Sequence, residues 1–334
     1  MRSNITIILL FSISLLLSAN VIAQEKATTP KDTTYWQYEF SHGLNIMQLA
    51  MINPRIGNGV DMLNFGGDIG FNFSYDSEKI YWTNNINWQF GVQRIGSGTL
   101  PGGGSIPWTK SLDLLTYNST LGVPFKPNGT FYYGGYIFFL SQGTPTYEGN
   151  LLVDNTTDNS GTIISKLFSP ARLQVAPAIS YFSKDKKIQF SYSPISYQSI
   201  MVFDDAIAAL GVHGNPVERV NGAVVSFENV DNQLGSFLLF GYNDAYANNK
   251  LTLRTNITLY SNYLNDPERV DVNWNADIGA TIFKKIQIAL KLNLFYDYDT
   301  DVLISDSSIP FTDWELGKKV SFTQQLILRY RVTF

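Results

Sequence analysis

Apolar and polar residues alternate along the last fourteen residues of the chain, which read SFTQQLILRYRVTF. The even positions up to Phe334 are apolar apart from Gln324, and the odd positions are polar apart from Ile327. A period of two predicts a β-strand with two different faces. An apolar face, an aromatic last residue and basic residues opposite are typical of the closing strand of a transmembrane β-barrel. Taken alone, the segment also fits a strand of an ordinary sandwich.

The same alternation recurs along the chain and predicts twelve strands in all. They cover about residues 36–50, 63–75, 80–92, 110–123, 130–142, 171–182, 188–201, 234–242, 251–262, 271–282, 286–297 and 321–334. Their phases assign each residue to one of two faces. We expect one set to face lipid: Phe71, Trp88, Leu253, Ile278 and Leu292. We expect another set to face the lumen: Asn72, Asn87, Asn256, Asp277 and Asn293.

The lengths of the connections decide between barrel and sandwich. Short predicted turns, at 76–79, 124–129, 183–187 and 283–285, alternate with long predicted loops, at 96–108, 143–169, 202–233 and 300–319. Outer-membrane barrels have short periplasmic turns and longer extracellular loops. The sequence therefore predicts an all-β fold, a transmembrane up-and-down antiparallel β-barrel of about 12 strands. Because 202–233 is ambiguous, 10 or 14 strands stay open as alternatives.

The N-terminus predicts export. Arg2 precedes a mostly apolar run that is too short for a comfortable membrane span, and Val21 and Ala23 occupy the small-residue positions before a cleavage site. We expect residues 1–23 to be a signal peptide, 24–34 a periplasmic lead-in, and 35–334 the barrel. The predicted location is the outer membrane, after signal-peptide export.

Composition narrows the possible chemistry. The chain has no Cys, which excludes disulfides, thiol nucleophiles and Cys metal sites. Its net charge is −4 with no basic patch, so we expect no nucleic-acid partner. Aromatic residues make up 14% of the chain, which suits a barrel with aromatic girdles. No motif indicates a cofactor.

Several short segments, taken in order, resemble a family of outer-membrane barrel proteins of Bacteroidota that is grouped as a domain of unknown function. The segments are Asn64–Gly67, Lys79–Asn84, the region of Asp113, Gly122, Tyr132–Tyr133, Ser169–Ala171, Ser193–Ser196, Leu210–Gly214, Leu259–Leu264 and Tyr296–Asp299. The resemblance covers nearly all of the mature chain. It implies a barrel and supplies no activity or catalytic residue.

Two histidines and one acidic run are the candidates for chemistry. His42 lies on the apolar face of the first strand, and His213 lies in a long loop; we expect both to be structural. The rim acids Asp297, Asp299 and Asp301 have alternate-carboxylate spacing, but the Gly and Glu of a calcium loop are missing. We expect them to pair with lysines 318 and 319 across the hairpin, with cation binding as the alternative.

Closure of the barrel brings the first strand beside the last. Glu39 lies on the polar face of the first strand, and Arg329 and Arg331 lie on that of the last. Because Arg favours bidentate carboxylate pairing, we predict a lumen charge pair of Glu39 with Arg329 or Arg331. Barrel shear could instead offset them. Phe334 is the predicted insertion signal, recognised by the barrel-assembly machinery.

The function predicted from the sequence is non-enzymatic: a narrow solute channel, or a structural or partner-binding barrel. The expected partners are outer-membrane lipid and an envelope protein. The alternative is an outer-membrane enzyme such as a lipid hydrolase. That alternative requires a Ser or an acid within hydrogen-bond reach of a His.

Overall fold

The computed structural model describes residues 35–53, 62–93, 108–154, 161–298, 302–304 and 315–333. Residues 1–34, predicted to be signal and lead-in, lie outside this part of the chain. The strands are β1 (Trp36–Ile52), β2 (Met62–Asp76), β3 (Tyr81–Gln93), β4 (Thr109–Pro124), β5 (Phe131–Ser141), β6 (Thr146–Tyr147), β7 (Ile163–Ser165), β8 (Ala171–Phe182), β9 (Ile188–Met201), β10 (Val217–Val220), β11 (Ala223–Phe227), β12 (Val230–Tyr246), β13 (Leu251–Asn262), β14 (Val270–Phe283), β15 (Ile286–Tyr296), β16 (Val302–Leu303), β17 (Leu316–Gly317) and β18 (Ser321–Thr333). A single-turn helix, α1 (Asp205–Ala208), and a 3₁₀ turn (Glu148–Asn150) lie between strands.

Twelve of the described strands close into one barrel, in the order β1-β18-β15-β14-β13-β12-β9-β8-β5-β4-β3-β2. Every neighbouring pair is antiparallel, and the first strand pairs with the last from Ser41↔Thr333 to Ile52↔Phe322. Closure removes free sheet edges, so the wall satisfies its own backbone groups. The prediction of a closed antiparallel barrel of about twelve strands is confirmed.

The two ends of the barrel differ in the length of their connections. We call one the turn end, where the short links 77–80, 125–130, 183–187, 247–250 and 284–285 lie. We call the other the loop end, where long links join β3 to β4, β5 to β8, β9 to β12 and β15 to β18. The predicted alternation of short and long connections is thus present.

The segment predicted as one loop, 202–233, is more ordered than expected. Strand β12 begins at Val230 rather than Leu234, because the wall continues beside β9 up to the pair Val230↔Met201. Before it, β10 and β11 form a separate hairpin. Its turn residues Asn221 and Gly222 have φ values of 51° and 83°, as a type I′ turn requires. The Asn-Gly pair carried this hairpin signal in the sequence.

The register confirms the predicted faces. The outward positions of β1, β2 and β18 are large, apolar and exposed, including Leu44, Ile46, Phe65, Ile69, Leu326 and Leu328. Residues that pair across strands share a face, and pairing places all five predicted lipid-facing residues on this outer wall. The five predicted lumen residues lie on the opposite face.

Aromatic side chains gather on the outer wall near the turn end. Trp36 stacks on Tyr38 at 6.0 Å and meets Trp82 edge-on at 5.9 Å, and Phe125 meets Tyr133 at 5.5 Å. Amphipathic rings suit the boundary between hydrocarbon and water. Among the described residues, no helix has the length and hydropathy needed to span a bilayer.

Candidate functional site

The predicted seam residues lie together on the lumen face. Arg331 Nη2 is 3.6 Å from Glu39 Oε1, and both side chains are partly open to solvent. Arg329 takes a different partner, because its Nε lies 3.1 Å from Asp68 Oδ1. Asn45 completes the second pair: its Nδ2 donates to Asp68 at 2.8 Å and its Oδ1 accepts from Arg329 at 3.2 Å. Sequence reasoning identified both arginines but missed Asp68.

Apolar side chains also meet across the lumen, between strands β5 and β12. Phe237 on β12 stacks on Tyr136 of β5 at 5.2 Å, with an interplanar angle of 8°. Strands β8 and β9 separate β5 from β12 in the wall, so this contact crosses the interior. Tyr260 belongs to the same cluster and lies beside Gly235, where a Cβ atom would be 2.9 Å from Tyr260 Cζ and 2.0 Å from the Ser261 carbonyl oxygen. Glycine there leaves room for the buried ring.

A second apolar cluster lies on the seam side of the lumen. It contains Met47 of β1, Ile327 of β18 and Ala289 of β15, and Leu112 of β4 packs against it. Strands β2 and β3 separate β1 from β4, so this cluster also crosses part of the interior. Side chains from non-adjacent strands therefore meet inside the lumen in two places.

An ion pair spans the lumen at the loop end. Arg172 Nη1 on β8 lies 3.2 Å from Oδ2 of Asp297, which directly follows β15. Four strands separate β8 from β15 along the wall, so the two side chains reach across the mouth. The sequence predicted lysine partners at 318 and 319 for this acid. That expectation did not include Arg172. Which residues meet across a lumen depends on the number of strands and on the shear of the barrel, and the sequence does not show the shear.

The other predicted site residues have separate outcomes. Asp299, Asp301 and Phe334 lie outside the described residues. His42 is half-buried on the outer wall, with its ring 6.0 Å from that of Phe40. Within the described ranges, no group of three or more His, Asp or Glu side chains could hold a metal ion.

The two longest described connections pack together into a unit that we call the cap, made of residues 142–154, 161–170 and 202–229. Its apolar centre is Val202, Ile207 and Ala208, with Ile163 packed against them. Asp204 caps helix α1 by accepting from Ile207 N at 3.1 Å and also pairs with Lys166. The hydrogen bond from Lys166, supported by the cap bond, lowers the pKa of the Asp204 carboxyl.

His213 ties the two connections together inside the cap. Its Nε2 lies 2.7 Å from the Ile164 carbonyl oxygen, so the ring nitrogen donates and the carbonyl accepts. Burial of the imidazole lowers the pKa of His213, more than the bond to Ile164 raises it. Asn215 holds the second connection together internally, since its Nδ2 donates at 2.9 Å to the carbonyls of both Ala208 and Glu228.

A cavity of about 380 Å³ lies beside His213. Its lining includes Glu148, Ser165, Leu210 and Val212. Ser165 Oγ donates to Gln142 Oε1 at 2.6 Å, while His213 Nε2 is engaged by a carbonyl. A nucleophile needs a base within hydrogen-bond reach, and these two side chains face different partners. The cavity holds a Ser, a His and a Glu without assembling them into a triad.

The base of the cap is anchored at Asp113. Its Oδ1 accepts from Trp88 Nε1 at 2.9 Å and Gly143 N at 2.8 Å. Its Oδ2 accepts from Lys110 Nζ at 2.7 Å and from Thr144 N at 2.9 Å. The Lys110 and Asp113 side chains are almost fully buried. One carboxylate thus joins β3 and β4 to the first residues after β5.

Comparison with known proteins gives a family match over part of the chain. Residues 46–147 match the model of a family described as a protein of unknown function, DUF3078. The expected resemblance to a domain of unknown function is thereby confirmed, whereas an origin in Bacteroidota stays a prediction. No curated protein sequence matches the chain.

Solved outer-membrane proteins align with the chain at low similarity. The COG4313 outer membrane channel from Pseudomonas putida F1 is 12% identical, with 92% of this chain and 100% of that chain covered and a TM-score of 0.38. The translocator domain of autotransporter NalP from Neisseria meningitidis is 7% identical, with 99% and 96% covered and a TM-score of 0.36. The NanC porin is 9% identical, with 86% and 100% covered and a TM-score of 0.37. No function is transferred at these values.

Proposed function

We propose that the protein is an integral outer-membrane β-barrel without enzymatic activity, which binds a partner through its cap and does not act as an open pore. The apolar outer wall and the aromatic belt support a place in lipid. The turn end then faces the periplasm and the loop end faces the cell exterior. Lipid surrounds the wall, and the partner is an envelope or cell-surface protein.

The contact between Tyr136 and Phe237 carries the proposal of a closed lumen. A conducting pore needs a continuous polar path, whereas here two rings stack across the interior in a buried cluster. The pair Arg172–Asp297 crosses the interior again nearer the cell exterior. Two successive layers of contact, one apolar and one ionic, oppose the passage of solutes.

The cap supports the partner-binding part of the proposal. Its hydrogen bonds and apolar centre hold it in one conformation, so binding would cost little ordering entropy. The hairpin β10–β11 exposes Val220, Val224, Val225 and Phe227. Exposed apolar residues clustered on one feature often mark a protein-binding surface. Ser165 and His213 hydrogen-bond to different partners, which does not favour the hydrolase alternative.

Bilayer conductance tests the closed lumen. Purified protein in a planar bilayer should show no steady current, and the double variant Tyr136→Ala, Phe237→Ala should show discrete current steps. Phe240→Ala is the matched control, because Phe240 lies on the same strand but on the outer wall. Steady conductance by the unmodified protein would refute closure.

Cross-linking in whole cells tests the cap. A photoreactive residue at Val225 should give a discrete cross-linked product, and one at Phe240 on the lipid-facing wall should not. Replacing residues 217–227 by a short Gly-Ser link should abolish that product while leaving the barrel in the membrane. An unchanged product after the replacement would count against a binding role for the hairpin.

Deletion of Phe334 tests insertion by the assembly machinery. The deleted chain should reach the outer membrane in smaller amounts, because the aromatic terminus of the alternating last strand is the expected signal. A Phe334→Tyr variant should insert normally. Normal membrane levels of the deletion variant would remove this role.

A further inference from the structure

Inward-facing residues of β12 and β13 change from buried to exposed toward the turn end. On β12, Phe237 is 1% exposed, whereas Asn243 is in the exposed class. On β13, Tyr260 is 5% exposed, whereas Arg254 and Asn256 are in the exposed class. All five side chains belong to the same inner face. The lumen therefore contains a solvent-accessible vestibule. It opens at the turn end and ends at the apolar cluster of Phe237 and Tyr260.

The vestibule contains one arginine without an acidic partner among the described residues. Arg254 is directly opposite Asp277, but that carboxylate is also opposite Lys291 and lies 3.8 Å from its Nζ. One carboxylate thus lies between two cations. The other lumen arginines of the seam each have their own acid, as described above. A positive charge is left uncompensated at Arg254.

Neutral hydrogen-bond donors lie next to this charge. Asn275 Nδ2 donates to Asn256 Oδ1 at 3.2 Å, and Asn293 Nδ2 donates to Asn275 Oδ1 at 2.9 Å. Because Asn256 Oδ1 accepts, its Nδ2 is directed away from this chain of amides. Asn256 and Arg254 are two residues apart on one strand, so both project from the same face. Together they present a guanidinium fork and an amide donor to the solvent of the vestibule.

We propose that Arg254 and Asn256 form an anion-binding site in the turn-end vestibule, which takes a small carboxylate or phosphate group. A guanidinium binds either group through two parallel hydrogen bonds. The low-dielectric wall strengthens the attraction relative to an arginine on an open surface. The site depends on the barrel fold and on the vestibule, and not on whether the lumen conducts.

Chemical modification of arginine tests the site directly. Full-length protein in detergent micelles is treated with phenylglyoxal, and modification of each arginine is followed by mass spectrometry. Succinate and inorganic phosphate, in separate arms, should each slow modification of Arg254 by about tenfold near saturation. Arg269 is the internal control, since it is exposed outside the vestibule and its rate should not change. If only one of the two anions protects Arg254, the result identifies whether the site takes a carboxylate or a phosphate group.

Equal slowing by chloride at matched ionic strength would overturn the proposal, because screening alone would then explain the effect. Thermal unfolding gives a second measurement: either anion should raise the Tm of the unmodified protein, and Arg254→Gln should lose this increase. Arg254→Lys should keep only part of it, because an ammonium group lacks the planar fork. An anion-dependent increase that persists in Arg254→Gln would also overturn the proposal.

Labelling of single cysteines tests the vestibule itself, since the chain has no Cys of its own. Asn256→Cys should react with a polar maleimide in micelles. Asn262→Cys, on the same face of the same strand but 7% exposed, should react far more slowly. Equal reaction of the two positions would show that no exposure gradient exists and would remove the site.

Discussion

Two ion pairs at the seam lie on the same lumen face but differ sharply in their surroundings. Arg329 and Arg331 are two residues apart on β18, and each has a carboxylate partner. The side chains of Arg329 and Asp68 are 7% and 4% exposed, whereas those of Arg331 and Glu39 are 23% and 47% exposed. The first pair lies in the packed part of the lumen, and the second lies nearer the turn end, where water enters.

This difference shows that facing the lumen does not by itself set the energetics of a polar residue. A buried charge loses its hydration and depends on its protein partners, whereas an exposed one can exchange its partner for water. The packed and wet parts of the lumen should therefore respond differently to the same kind of substitution.

The largest effect is expected from Asp68→Ala. The change leaves the Arg329 guanidinium buried without a carboxylate, which should lower the free energy of unfolding by about 3–5 kcal/mol. Urea unfolding in micelles measures it. Glu39→Ala is the matched control and should cost far less; equal losses would contradict the distinction between the two parts.

Phe237→Leu should have a smaller effect in the same packed region. It removes the stacked contact with Tyr136 and leaves unfilled space, for an expected loss of about 1–2 kcal/mol. Phe240→Leu, on the outer wall of the same strand, should unfold nearly as the unmodified protein does in micelles. A loss at Phe240 as large as at Phe237 would show that the inner cluster is not special.

The cap should lose stability as the pH falls. The folded pKa of His213 is lowered, so the unfolded imidazole takes up a proton first, and stability falls as the pH decreases below the usual value of 6.5. Arg172, which also lowers this pKa, and Glu148 of the cavity are the charged groups that we expect to modulate it. The protection factors of the cap amides, which correct hydrogen exchange for its intrinsic dependence on pH, should fall between neutral and mildly acidic pH, and His213→Gln should reduce that fall. Protection factors that do not change with pH would contradict the prediction.

The smallest effect is expected from Glu39→Gln. The pair with Arg331 is partly solvated and 3.6 Å long, so it should contribute at most about 1 kcal/mol. The loss should shrink further at high salt, because exposed charges are screened. Unfolding measured at low and high salt separates this pair from the one at Asp68, which salt should affect little.

Period-two patterns allowed the wall to be predicted from the sequence, because the alternation within one strand is enough to assign its residues to two faces. The outward side chains of β2 or β13 depend only on local alternation and on the nature of the solvent outside. The short turns also predicted which strands are neighbours. Two strands joined by only a few residues must lie side by side and pair with each other. Closure then fixed the pairing of β1 with β18.

Contacts across the lumen could not be predicted in the same way. Arg172 and Asp297 are far apart in sequence and meet only because of the strand number and the shear of this barrel. Asp68 lay on a predicted lumen face, but nothing local distinguished it from Glu39 as a partner for Arg329. The cap was missed because its ties, such as His213 to Ile164, run from a side chain to a distant backbone carbonyl and leave no periodic pattern.

The closing seam has a mechanical consequence. Strand β18 has ten partner pairs with β15 and twelve with β1, so both of its edges are held along nearly their full length. A tension applied at its end along the strand axis would load two ladders in shear at once, instead of opening one ladder pair by pair like a zipper. Pulling on the C-terminal end of β18 should therefore require a high rupture force.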